Sequence, residues 1–444
     1  MGTMTLSKEH TVTEGAAGDQ LDREKLRQLQ LERLQMTLNR AYFHVDFYRS
    51  RLDALGVVPE DVKTDEDFRG LPFTTSEDLA DHYPYGLFAV PLKNVVRLKI
   101  ASSRDGRPIV VGFTKRDVAL WQSLMVRLFQ RLGIHDRDIV QVAFNYSLFP
   151  GAFTFNHAAE ALGATLAPSA TVSAKLQLQL MRDFRSTVLA ATPSFAMHLL
   201  DTLDEESGRG RECHDLSLKL MVLGPDPIPE ALRDRIRSRL GIPAFGLYGV
   251  AEMVEPGLAG ECPAFRGFHV AEDHFLAEVV HPVTGQPVGP GSEGELVITT
   301  LSAEAYPLIR YRTGDVVAVD AVPCPCGLNT VRLSPVRRRT DHRLSIRGIP
   351  VSPQRVERLL RETDSSLVDF RLMVGTRFGL GDSLEVWISL ESSAQEGKSS
   401  RLERIRSRLR RELGLGVRVV DIPPERLPQE GLTYKTVFRE KKEL

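Results

Sequence analysis

Between residues 139 and 248 short unbroken apolar runs alternate with longer amphipathic stretches. Ile139 to Phe144, Val188 to Ala191, Leu218 to Leu223 and Pro243 to Leu247 have the length and texture of buried strands. Phe155 to Leu162, a segment from Ser194, and the charged stretch Glu230 to Leu240 fall between them as helices. Few folds accept that alternation: it predicts a mainly parallel sheet with helices on both faces. Open sheets of this kind collect ligands at the carboxyl ends of their strands. The last strand runs into Tyr248-Gly249-Val250-Ala251-Glu252-Met253, where Gly249 permits a sharp turn. An aromatic ring to stack on a flat heterocycle, beside a carboxylate able to hold a divalent metal, points to nucleotide chemistry. Taken alone, the hexapeptide is equally a packed tyrosine and a surface glutamate.

The flanks are read the same way. Residues 1–20 hold little to bury and are expected to be disordered. From Asp22 the spacing of Leu31, Leu34, Leu38 and Tyr42 predicts a helix. Thr75 or Ser76, ahead of Glu77 and Asp78, caps another. Ala101-Ser102-Ser103-Arg104-Asp105-Gly106-Arg107-Pro108 precedes the strand Ile109 to Phe113. Such a loop can wrap phosphate oxygens with backbone N–H groups and a guanidinium, although most loops of this texture are plain turns. The chain has neither a Walker loop nor a dinucleotide glycine fingerprint. Ala277 to His281 and Glu295 to Leu301 predict an antiparallel hairpin, and Asp315 falls on a turn suited to gripping two ribose hydroxyls. A capping or turn role is the commoner use of such an Asp.

The basic run Arg337 to Asp341 marks a boundary, giving expected domains at 21–340 and 341–444. In the second, Leu384, Val386, Ile388 and Leu390 line one strand face, and Leu402, Ile405, Leu409 and Leu413 stripe a helix. The arginines opposite that stripe are expected to be a solvated face.

A chain of 444 residues with 42% apolar and 26% charged side chains can bury more than one core. Its net charge of -1 gives no field that would favour nucleic acid or an anionic membrane. The polar first twenty residues, the lack of a long apolar run and the four scattered cysteines lead to the expectation of a reduced, cytoplasmic protein. Cys324-Pro325-Cys326-Gly327 is a tight thiol pair, with Cys262 and His269 upstream. Four such ligands, Cys262, His269, Cys324 and Cys326, would satisfy a closed structural Zn²⁺ site. The alternative is buried thiols clustered by chance.

From about Leu26 onward the chain resembles phenylacetate–coenzyme A ligases of the adenylate-forming superfamily. The resemblance is carried by Phe47-Tyr48-Arg49, Leu71-Pro72-Phe73-Thr74, the run Tyr83 to Pro91, Gly267-Phe268-His269, Glu272-Asp273-His274-Phe275, Pro307 to Arg312, Cys324-Pro325-Cys326-Gly327 and Ile346-Arg347-Gly348. It implies an α/β fold: a large N-terminal domain of mixed sheets with a small β region, and a smaller, mobile α+β C-terminal domain. It also implies activation of a carboxylic acid by ATP, through AMP chemistry and Mg²⁺, with transfer to coenzyme A, a carrier-protein thiol or an amine. A homodimer is implied too; partners in nucleic acid or membrane are not.

By resemblance, Glu252 holds Mg²⁺, Tyr248 and Gly249 border adenine or the acyl group, Asp315 binds the ribose with Arg339 beside it, and Asp341 is the hinge. Ser102, Ser103 and Arg107 correspond to the phosphate loop, and Asp226 to the adenine segment. The departures concentrate on ATP. The family's loop reads Ser-Ser-Gly-Thr-Thr-Gly-Lys-Pro, whereas this chain places Arg104, Asp105 and Arg107 there. Ala251 replaces the hydroxyl residue before the metal-binding Glu, and Gly224-Pro225-Asp226-Pro227 replaces Gly-Ala-Glu-Pro. Thr433 stands at the position of the adenylation lysine, with Lys435 two residues on as the candidate. Ala152, Phe153, Thr154 and Asn156 replace the glycine-rich acyl pocket, which disfavours phenylacetate itself. Two functions follow: acid activation by ATP, or a diverged member that uses a pre-activated substrate or acts as a ligand-binding or regulatory protein.

Overall fold

The computed structural model describes residues 21–146, 151–170, 172–207, 215–320, 322–377, 380–390, 397–428 and 436–440. The first twenty residues and Lys435 lie outside them. Helix α1 (Arg23–His44) starts where Asp22 accepts the Lys25 amide at 2.9 Å, and it buries Leu34 and Leu38. Helices α2 (Asp46–Leu55) and α3 (Asp65–Arg69) follow. Helix α4 (Ser76–Asp81) is capped by Thr75, with Asp78 bonding back.

Strands β1 (Val95–Ser102) and β2 (Pro108–Thr114) form a separate antiparallel pair joined by the 103–107 loop. In β1 the usual polarity is inverted. Val96, Leu98 and Ile100 are 61%, 50% and 74% exposed, while Lys99 points inward at 5%.

After α5 (Lys115–Arg131) the predicted alternation begins. It runs β3 (Ile139–Val142), α6 (Ala152–Leu162), β4 (Thr165–Pro168), α7 (Ala174–Phe184), β5 (Val188–Ala191), α8 (Pro193–Ser207), β6 (Leu220–Leu223), α9 (Glu230–Leu240) and β7 (Ala244–Tyr248). The strands are parallel, in the order β4-β3-β5-β6-β7. Successive strand residues alternate between two cores. Val188, Ala190, Val222 and Phe245 join one, Leu189, Ala191, Met221 and Ala244 the other. Both faces are therefore covered, as the unbroken apolar runs require.

Beyond β7 the sheet continues antiparallel through β8 (Ala259–Gly260), β9 (Phe268–Val270), β10 (Phe275–Val280), β11 (Glu293–Thr300), β12 (Tyr311–Asp320) and β13 (Arg332–Leu333), in the order β7-β8-β9-β13-β12-β11-β10. The short β14 (Arg338–Arg339) pairs with β12, setting Arg339 opposite Asp315.

A second sheet follows. It contains the hairpin β15 (Leu344–Ile346) and β16 (Ile349–Val351), then β17 (Leu367–Arg377), β18 (Leu380–Leu390), β19 (Val417–Asp421) and β20 (Thr436–Glu440). Helices α10 (Pro353–Thr363) and α11 (Lys398–Leu413) pack on it around Leu360, Phe370, Val386, Ile388, Ile405 and Leu409, a core of its own. Ladder pairing of the large sheet ends at Arg339 and that of the small one starts at Leu344. The large and small lobes touch through Arg377, whose guanidinium donates to Asp201 at 2.9 Å, and through the 103–107 loop. No described helix is long and apolar enough to cross a membrane.

Candidate functional site

The carboxyl end of β7 lies where the two lobes meet. There Gly249 is obligatory: a Cβ would sit 2.4 Å from the Val254 carbonyl oxygen and 2.6 Å from Glu255 Cα. The tight turn lets Tyr248 reach β12, where its hydroxyl donates to Asp315 Oδ2 at 2.6 Å. Arg339 donates to the other Asp315 oxygen, and to both Asp341 oxygens at 2.8 and 2.7 Å. Tyr248, Asp315, Arg339 and Asp341 thus form one hydrogen-bonded chain across the seam. Burial, reinforced by the Asp315 charge, lifts the Tyr248 phenol well above its ordinary range. Burial works against ionisation of Asp341, yet the Arg339 bonds hold its carboxyl at about 2.

Glu252 is buried, with the Tyr311 hydroxyl hydrogen-bonded to its carboxylate. Behind it opens a mostly apolar cleft bounded by Val111, Phe113, Leu120, Phe275 and Tyr306. The α6 residues singled out as acyl-pocket replacements do not line that cleft. Asn156 accepts a bond from the Tyr146 hydroxyl at 3.0 Å, Phe153 packs on the Tyr146 ring, and Ala152 and Thr154 are buried. Asp226 reaches the other way: Ser345 and the Gly348 amide, both from the small lobe, bond its carboxylate, and burial raises its pKa.

The 103–107 loop is closed on itself. The Ser103 amide donates to the Arg107 carbonyl and the Gly106 amide to the Ser103 carbonyl, both at 2.9 Å. The Arg107 amide donates to Ser103 Oγ at 2.9 Å, and the Arg104 amide to Ser76 Oγ at 3.1 Å. Ser103 Oγ itself donates to Asp105. Arg107 turns its guanidinium to Asp105 at 2.6 Å and to Asp81. Four of the loop's amides, those of Ser103, Arg104, Gly106 and Arg107, are thus engaged inside the protein. Outside, the small lobe covers the loop. Ser352 Oγ donates to the Arg104 carbonyl at 2.7 Å, and Arg343 to the Ser102 carbonyl at 2.9 Å. Gly106 has a φ of +78°, and a Cβ there would meet the Arg355 side chain at 2.7 Å.

Away from this seam, Cys262, His269, Cys324 and Cys326 converge, with their ligand atoms all within 4.8 Å of one another. Cys262 and Cys324 sulfurs are 3.7 Å apart, and Cys326 Sγ lies 3.4 Å from His269 Nε2. Two sulfurs about 2.3 Å from one zinc at the tetrahedral angle would stand ~3.8 Å apart. The other imidazole nitrogen, Nδ1, sits 3.0 Å from Thr330 Oγ1, which orients the ring. The donor set and its spacing fit a closed tetrahedral ion.

Sequence reasoning missed Lys99, Glu255, Tyr311 and Arg343 at this seam. Only Lys99 left a visible signal, a charge set among alternating apolar residues from Val95 to Ile100.

Residues 120–302 match the family model described as AMP-binding enzyme. The chain is 38% identical to the phenylacetate–coenzyme A ligase of Thermus thermophilus, over 92% of this chain and 95% of that one. With the Escherichia coli phenylacetate–coenzyme A ligase it shares 36% identity over 91% and 93%. Among solved structures, 2-hydroxyisobutyryl-CoA ligase with 2-HIB-AMP and CoA in the thioesterification state aligns at a TM-score of 0.86 and 24% identity, covering 96% of this chain and 92% of that one. The same ligase in the postadenylation state gives 0.69 over 95% and 91%.

Proposed function

The chain belongs to the phenylacetate–coenzyme A ligase family, and we propose that it activates a small carboxylic acid with ATP and passes the acyl group to coenzyme A. The observation that carries this reading is the Tyr248–Asp315–Arg339–Asp341 chain at the end of β7, one turn from buried Glu252. Asp315, already oriented by a phenol and a guanidinium, would accept both ribose hydroxyls, while Tyr248 would border the adenine. Asp226, Ser102 and Ser103 would complete the nucleotide's surroundings. Glu252 offers the hard oxygen donor that Mg²⁺ requires, alongside substrate phosphates. When bound, that ion would stabilise the charge leaving with pyrophosphate. Lys435 is the candidate adenylation lysine, and Asp341 the hinge.

The acid would occupy the apolar cleft behind Glu252, which favours an uncharged aryl or alkyl body. A carrier thiol or an amine is the alternative acceptor. Zn²⁺ at Cys262, His269, Cys324 and Cys326 would be structural. Pyrophosphate release across a panel of aryl and short-chain acids tests the proposal. Release that depends on one acid, and falls at least ~100-fold in Glu252→Gln, is the expected result.

A second reading is favoured by the closed 103–107 loop, four of whose amides already have partners. In it the protein does not adenylate, and instead uses a ready-made acyl-adenylate or serves as a ligand-binding regulator. Acyl transfer to coenzyme A from a supplied acyl-adenylate, with no pyrophosphate released from ATP and any acid, would establish it over the first.

A further inference from the structure

Lys99 stands out at the seam as a buried cation whose Nζ has no hydrogen-bond partner among the described residues. Its side chain is 4% exposed. The nearest carboxylate oxygen, Glu255 Oε2, is 4.0 Å away, beyond hydrogen-bond reach, and the Trp121 ring centroid lies at 5.3 Å. Glu252 is also within its electrostatic reach. Glu255 in turn feels Arg343 and Asp226, which places the ammonium on the side of the site where the lobes meet.

An ammonium taken from water without hydrogen bonds is costly. Three donors stay unused while three apolar neighbours on the same strand, Val96, Leu98 and Ile100, face outward. Inverting a strand's polarity to bury a lysine works against the packing of that strand, and such local violations gather at functional sites. In the 103–107 loop, directly after β1, four amides are engaged within the protein, Arg107 is held by Asp105 and Asp81, and Arg104 leans on Glu77 at 3.7 Å.

We propose that Lys99 is an anion-binding residue of the active site, donating to a phosphoryl oxygen of the bound adenylate next to Glu252 and replacing the grip that the loop has lost. The inference rests on the nucleotide reading of the site. The ligand class is a 5′-phosphorylated adenosine, AMP itself or its mixed anhydride with the acid. Because the donor is a protein cation, part of the phosphate affinity should persist without a divalent metal.

Calorimetry on the full chain with AMP and with adenosine, each in EDTA and in Mg²⁺, tests this. Wild-type protein should bind AMP in EDTA more tightly than adenosine. Lys99→Met, matched in length and apolar, should weaken AMP about tenfold or more in EDTA and leave adenosine unchanged. Lys99→Arg should recover most of the loss, and the melting temperatures of all three proteins establish that each is folded. Should Lys99→Met unfold, the arginine variant and the wild-type preference for AMP over adenosine in EDTA carry the test. Equal AMP affinity in Lys99→Met and wild type, or equal wild-type affinity for AMP and adenosine in EDTA, overturns the proposal and leaves the nucleotide site standing. Wild-type protein that binds neither ligand removes both.

Discussion

Asp315 takes one hydrogen bond from a phenol and another from a guanidinium, and both donors are themselves buried or paired. A carboxylate so fixed needs no reorganisation to accept two hydroxyls. Asp315→Asn keeps the shape but loses the charge and one acceptor, and should weaken AMP by about 10- to 100-fold in a calorimetric titration. A second carboxylate acts on stability. Asp364 is bonded by Arg401 at 2.8 and 3.0 Å with both side chains 7% exposed, and those bonds, against the smaller effect of burial, hold its carboxyl at about 2. Its folded pKa lies below its unfolded one, so its contribution is present at neutral pH and fades as pH falls from about 4 towards 2. A shift of that size amounts to about 2 kcal/mol. Urea titrations between pH 5 and pH 2.5 should show the small lobe losing that stability, and Asp364→Asn should flatten the slope while lowering stability at pH 7. Tyr248 ends β7 and Glu252 follows it, so both could be placed at the sheet's carboxyl edge from sequence, whereas Asp315, expected on a turn, lies within β12 opposite Arg339. The partners of Asp315 at Arg339 and of Asp364 at Arg401 depend on chain returns that local patterning does not encode.

Among elements, the four buried strands β3, β5, β6 and β7 were legible because apolar runs bounded by turns have one economical explanation in an α/β sheet. The helices Glu230–Leu240 and Lys398–Leu413 were legible for the matching reason, a stripe at helical spacing. Strand β1 was not. Its apolar residues face out and its lysine faces in, so alternation alone gives the reverse orientation. Two-residue strands such as β13 and β14 are set by their ladder partners, and nothing local announces them. Yet β13 matters: it pairs with β9, putting Arg332 opposite His269, and so brings the two cysteine turns to one point. If Zn²⁺ holds them, Cys324→Ser should lower the melting temperature by about 5 °C or more, and metal analysis should find less than one zinc per chain. Fresh wild-type protein without zinc would remove the structural-metal claim. The 103–107 turn gives the complementary case. Arg104→Thr with Asp105→Thr should release Ser103 Oγ and Arg107 from Asp105, and ATP should then bind several-fold more tightly.

In the whole molecule, the large lobe and the small lobe, which has a sheet and core of its own, are joined by a few residues between Arg339 and Leu344. Composition and length pointed to more than one core. The way the lobes face each other was not readable, because it rests on side chains such as Arg377, Arg343 and Ser352 meeting residues more than a hundred positions away. Arg377→Ala removes the bidentate grip on Asp201 and should make the linker near Asp341 more sensitive to limited proteolysis without moving the melting transition of either core by more than ~2 °C. The Ser352 contact has a further consequence. The same five-residue turn meets Ser352 and Arg355 of the small lobe, so under the proposed function docking of that lobe and binding of a triphosphate would compete for one segment. Association would wait on the lobes parting. Loosening that clasp, for instance with Ser352→Ala, would then quicken nucleotide entry more than it deepens final occupancy, a kinetic signature visible in stopped-flow traces.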